Sequence, residues 1–111
     1  SEPWRGNFLG SGGPEVHQLN DKSLLAIYRD MDPNRHGVNV SHSEDEGRTW
    51  NFVGQLCGPS EPSTWGTGWE LGYPVSLRVS NGLIFVVYYG PWMNGNADVV
   101  GVYLEDLTST A

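Results

Sequence analysis

A chain of 111 residues supplies one ordinary domain's worth of core. Its 6 Lys and Arg stand against 13 Asp and Glu, a formal charge of −7 with no basic cluster, which argues against nucleic acid and anionic membrane as partners because both need local positive charge. No apolar run approaches membrane-spanning length, and Cys57 is the single cysteine, without a second thiol for a disulfide or a metal site, so a soluble chain with no metal or other cofactor is expected. Within the first 13 residues Trp4, Phe8 and Leu9 are scattered among glycines with no sustained period, which reads as a loop or short edge strand.

Pro14 to Leu19 alternates loosely, Asn20-Asp21-Lys22 is a turn signal, and Leu24 to Tyr28 is a continuous apolar run rich in strand formers. These predict a hairpin whose second strand is buried on both faces. A polar loop from Asp30 to Gly37 precedes Gly37 to His42, where Val38 and Val40 share one face. The stretch Ser43-Glu44-Asp45-Glu46-Gly47-Arg48-Thr49-Trp50 has turn chemistry throughout: Ser43, Asp45 and Thr49 can bond nearby backbone groups, and Gly47 can take a positive φ. Trp50 is expected to start a fourth strand, running to Leu56, with a ring that must be buried.

From Cys57 to Gly68 the chain is aperiodic and long for a connection, the kind of segment that carries binding residues. Val75 to Val79 and the apolar Leu83 to Tyr89 flank the hairpin turn Ser80-Asn81-Gly82, and Val99 to Leu104 follows as a third strand. The expected organisation is therefore a first unit over 1–56, a connection over 57–72 and a partial second unit over 73–111. What pairs the second unit's outer strand stays open among the tail from Glu105, the stretch Trp4 to Leu9, and a neighbouring molecule.

The two units are one pattern written twice. Pro14 aligns with Pro74, Leu19 with Val79, Leu24 with Ile84, Ile27 with Val87 and Tyr28 with Tyr88, each pair 60 positions apart, as 74 − 14 gives. A helix-free repeat of short antiparallel strands is what propeller blades look like in sequence, and each such blade leaves an apolar face for a neighbour to cover. The expected fold is all-β, two antiparallel four-stranded blades completed into a six-bladed propeller by oligomerisation, a trimer being the favoured homo-oligomer. A free β-sandwich of the same strands is the alternative.

The segment from Ser43 to Trp50 resembles the Asp-box of sialidase-like propellers, Ser-x-Asp-x-Gly-x-Thr-Trp, in which Ser43, Asp45, Gly47, Thr49 and Trp50 are the structural positions. The likeness extends over Glu15 to Arg29, Gly37 to Trp50, the Trp69-Glu70-Leu71-Gly72-Tyr73-Pro74 segment and Ser80 to Tyr89, and the whole is similar to the last two blades of that family. The family binds a sugar carboxylate with arginines and attacks the anomeric carbon with a Tyr activated by a Glu. The resemblance implies that Arg29 is a carboxylate-binding residue, Tyr73 the nucleophile position and Glu15 its upstream acid–base partner. The family's first-blade Arg and the Asp that protonates its leaving group have no counterpart in this chain.

Read without the resemblance, Glu15 and Arg29 are a surface ion pair at strand ends, and Tyr73 packs where the second unit begins. Trp69 and Trp92, with Trp65 and Tyr89, crowd the loops, where rings beside Asn and Asp suit either a sugar face or a protein interface. His17, His36 and His42 lack metal-ligand spacing, and His42 is expected to be exposed. Asn39-Val40-Ser41 fits a glycosylation sequon. Three functions follow as expectations: a sialidase-like glycoside hydrolase rebuilt by association, a propeller that recognises an acidic carbohydrate without hydrolysing it, and a structural remnant of a larger propeller with no activity.

Overall fold

Two apolar runs, Leu24 to Tyr28 and Leu83 to Tyr89, become the central strands of two antiparallel sheets. The computed structural model describes residues 14–30, 37–57, 74–89 and 99–106. Among the described residues seven strands run in chain order: β1 (Glu15–Gln18), β2 (Leu24–Asp30), β3 (Gly37–Ser43), β4 (Asn51–Cys57), β5 (Val75–Ser80), β6 (Leu83–Tyr89) and β7 (Val99–Glu105). The first sheet has the order β1-β2-β3-β4 and the second β5-β6-β7, so each strand pairs with its neighbour in sequence. The expected four strands per sheet hold in the first; the second has three among the described residues, β7 forming its outer edge.

The repeat is visible in the pairing itself. Glu15 lies opposite Ile27 and Val16 opposite Ala26 in the first hairpin; Val75 lies opposite Val87 and Ser76 opposite Val86 in the second. Equivalent positions nevertheless have opposite fates. Ile27 is buried where its counterpart Val87 is half-buried, and Ile84 is buried where its counterpart Leu24 is half-buried. The odd-numbered face of β2 and the even-numbered face of β6 are the two that meet, so the sheets stack with non-equivalent faces together. A sandwich made by folding the repeats onto each other about a two-fold axis would bring equivalent faces together.

The core between the sheets comprises Leu19, Ile27, Val38 and Val40 from the first unit and Ile84, Val86 and Tyr88 from the second. The other face of the first sheet carries Ala26, Tyr28, Asn39, Ser41 and Ser43, all buried within one chain. This makes β2 the doubly covered strand that its composition predicts, and the Tyr28 and Ser41 hydroxyls hydrogen-bond there at 2.8 Å. Asn39 of the sequon is wholly buried, so this fold leaves no room for a glycan on its amide.

The residues from Ser43 to Trp50 form a turn that bonds itself. Ser43 Oγ donates to Asp45 Oδ1 at 2.8 Å and accepts from the Gly47 amide at 2.9 Å. Asp45 in turn accepts from the Thr49 amide at 2.8 Å and the Thr49 hydroxyl at 2.5 Å. Gly47 has φ +89°, as its place in the turn requires, and a Cβ there would stand 3.6 Å from the Trp50 ring. The ring folds back over the turn, with Nε1 donating to Gly47 O at 2.9 Å. Trp50 is thus half-buried against the turn and the strand begins one residue later, at Asn51, a correction to the expectation of a core-buried ring opening the strand.

These bonds to the ionised carboxylate, above all those from Thr49, hold the Asp45 carboxyl down at about 2. A depressed carboxyl stabilises the fold above its unfolded pKa of about 4, and that contribution is lost as pH falls toward the folded value. The stability difference between the parent and Asp45→Asn, measured by urea unfolding, is therefore expected to be constant above pH 5. It should shrink between about pH 4 and pH 2.

Candidate functional site

Strand direction sorts the connections into two sets, and the two longest fall in the same one. The tight turns 19–23, 44–50 and 81–82 all lie at one end of the two sheets. The strand ends joined by 31–36, 58–73 and 90–98 all lie at the other. Glu15 opens β1 and Arg29 is next to last in β2, so both belong to this second end. Both also share a face: Glu15 is opposite Ile27, and Arg29 lies two residues further along the same face, opposite Val38 of β3. That face is the one turned toward the second sheet. Tyr73, Trp69 and Trp92 lie outside the described residues, as do Trp65 and His36.

Glu15 is held in place by the second sheet. Its Oε1 accepts from the Ser76 amide at 2.9 Å and from the Ser76 hydroxyl at 3.3 Å. His17 Nε2 lies 2.6 Å from the same hydroxyl. Burial holds the His17 imidazole below its ordinary pKa; the neighbouring Glu15 carboxylate opposes this, and the Arg78 guanidinium adds to it. The result is a carboxylate, a hydroxyl and a neutral-biased imidazole gathered where β1 meets β5. The arrangement fixes the Glu15 carboxylate as an acceptor on the face that Arg29 shares. It is not a nucleophile relay, because the Ser76 hydroxyl donates its hydrogen to Glu15, and His17 Nε2 then stands to that hydroxyl as a donor and not as a base.

A second polar cluster closes the seam nearer the turn end. Asp106, fully buried at its side chain, accepts from the Asn20 amide at 2.9 Å and lies 3.5 Å from the Arg78 guanidinium. Arg78 also donates to Gln18 O at 2.8 Å, and the Asn20 and Asn81 side chains bond at 2.8 Å across the two hairpin turns. At the opposite end of the sheets Tyr88 Oη donates to Leu56 O at 3.1 Å. None of these ties is signalled by period or composition, although Asn20 and Asn81 stand in matching turns of the repeat.

His42, expected to be exposed, is half-buried, its Nε2 lying 2.8 Å from Ser23 Oγ across β2 and β3. Ser23 also bonds Asp21, which draws the Asp21 carboxyl below its ordinary pKa. Among the described residues no group of three or more His, Cys, Asp or Glu is placed to hold a metal ion. No helix of the described residues is long and apolar enough to cross a membrane.

Fold and site together define an all-β protein of two stacked antiparallel sheets with its long connections at one rim. No family model, curated protein or solved structure matches the chain.

Proposed function

We propose that this chain is a sialidase-like blade pair that recognises an acidic sugar at the rim of long connections, Arg29 receiving the sugar carboxylate. The observation that carries this reading is the placement of Glu15 and Arg29 on one face, at one end, against the second sheet. A guanidinium fork at such a place suits a carboxylate through two parallel hydrogen bonds. The bonds from Ser76 to Glu15 add support, because Tyr73 stands only three residues before Ser76 in the chain. In the hydrolytic form of the proposal Tyr73 attacks the anomeric carbon as Glu15 takes its proton, the glycosidic C–O bond breaks with the leaving oxygen protonated by solvent water, and a second water then hydrolyses the tyrosyl–sugar bond; Trp69 and Trp92 supply rings for the sugar face. The stacking of non-equivalent faces suits a blade pair.

The test is titration with the α-methyl glycoside of N-acetylneuraminic acid, followed by amide shifts in NMR, with neutral methyl galactoside as control. Arg29→Ala is expected to weaken sialoside binding by roughly 10- to 100-fold, as loss of a charged hydrogen bond does, with far-UV circular dichroism unchanged. Equal binding of both glycosides, or no effect of Arg29→Ala, would sink the proposal. Hydrolysis is read separately with a fluorogenic sialoside, where Tyr73→Phe should abolish any activity.

A structural reading without ligand is favoured by one observation: the Glu15 carboxylate already ties the two sheets together through Ser76. On that reading Glu15→Gln lowers stability, and no glycoside binds.

A further inference from the structure

The second sheet turns one face to the core and the other outward. On the outer face stand Val75, Leu77 and Val79 of β5, Phe85 of β6, and Val99 and Tyr103 of β7. Val75 is 65% exposed, Leu77 64%, Val99 79% and Tyr103 63%. We propose that this face is a self-association surface, on which a second copy of the chain seats the same face.

Four observations support it. First, the face has core composition for a reason internal to the chain: through the 60-residue repeat, Val79, Phe85 and Val87 correspond to Leu19, Leu25 and Ile27. Those residues build or line the core where the first sheet meets the second. A face of that make-up is suited to a sheet packed about 10 Å away. Second, the face is level. A Cβ on Gly101 would come within 2.8 Å of Phe85 Cζ, so the Phe85 ring occupies the space that a side chain at 101 would take. The same ring packs against Tyr103, centroids 4.8 Å apart. Third, among the described residues Glu105, at the turn end, is the one charged side chain on this face. In a chain of net charge −7 this makes the face a place where local like-charge repulsion between two copies is small.

Fourth, the alternative seat for a second copy is filled at its centre. Head-to-tail stacking would place this face against the first sheet's far side, where Ala26, Tyr28, Asn39, Ser41 and Ser43 are already buried within one chain and exposed apolar surface is confined to the outer strands, at Val16 opposite Ala26 and Phe52 opposite Ser41. The better-matched seat is its own equivalent on another copy, an isologous pairing about a two-fold axis, the commonest symmetry of soluble oligomers. Contiguous exposed apolar patches beyond a few hundred Å² mark such interaction surfaces.

Light scattering across micromolar to submillimolar concentration tests this directly. The expected mass is twice the 12.2 kDa of one chain, falling toward one chain on dilution. Leu77→Asp should weaken the dimer by at least about 100-fold, the effect of about 2.7 kcal/mol. Val99→Lys, at the exposed start of β7, is the second variant and should also dissociate it even if Leu77→Asp misfolds. Phe52→Asp, on the exposed edge strand of the first sheet, should leave the dimer intact. A monomer at every concentration overturns the proposal, as does a trimer, or a dimer that Phe52→Asp breaks and the two second-sheet variants do not.

Discussion

Asp106→Ala is expected to cost about 3 kcal/mol of folding free energy, seen as a lower urea midpoint with an unchanged slope. The Asp106 carboxylate is fully buried, accepts from the Asn20 amide and faces the Arg78 guanidinium. Truncation takes the Asp106 acceptor from the part-buried Asn20 amide bond and leaves a partly buried cation whose remaining described partner is Gln18 O. Arg78 keeps 28% of its side-chain surface in water, so the loss falls at the lower end of what breaking a buried ion pair costs. Asp106→Asn separates the two parts. It keeps an acceptor for Asn20 while removing the charge, and about half of the loss should return.

Ile84→Ala should be at least as damaging, at about 3 to 4 kcal/mol. Ile84 is wholly buried and contributes to the core between the two sheets with Ile27, Val38 and Val40. Its removal leaves a cavity between two sheets whose strands are fixed by ladder bonds and cannot collapse around it. Domains of this size hold only about 5 to 15 kcal/mol in total, so the variant should lose a large part of its stability. Val53→Ala, on the exposed part of β4, is the comparison and should change the midpoint by less than about 0.5 kcal/mol. A similar loss for both variants would mean that the sheets are not held by the core described.

All seven strands were legible in the sequence, because β-branched and aromatic runs between Asn, Asp and Gly turns leave few other options. The turn from Ser43 to Thr49 was legible too, since its bonds are local and each residue type has one role there. Less legible was anything that depends on how the sheets meet. Ile27 and Val87 are equivalent in the pattern, yet only one is in the core; periodicity names the apolar face of a strand but not which sheet covers it. The same blindness hid the Glu15–Ser76–His17 link, the Asp106 cluster and the burial of His42, all made by residues brought together in space by packing. Trp50 misled for a different reason. A large ring does need shelter, but the glycine three residues earlier supplies it locally.

Of the candidate site, Glu15 and Arg29 could be placed on one face from the alternation of β1 and β2, given the hairpin register. That Ser76 would hold Glu15 could not. A neutral serine at the start of the next unit carries no sign of its partner until the two sheets are docked.

The order of the strands bears on how the chain reaches this state. Every ladder joins sequence neighbours, and β1 with β2 or β5 with β6 need only a short loop to close, which is fast. The bonds between the sheets instead join residues from 32 apart, Leu56 with Tyr88, to 86 apart, Asn20 with Asp106, with Glu15–Ser76 and Gln18–Arg78 between these limits. Their closure entropy is spent before any core is gained. Sheet formation is therefore expected to precede docking, an order in which each sheet exposes its inner apolar face in the interval. A chain built as a linear meander of two repeats has its slow step, and its window for sticking to other molecules, in the joining of its halves.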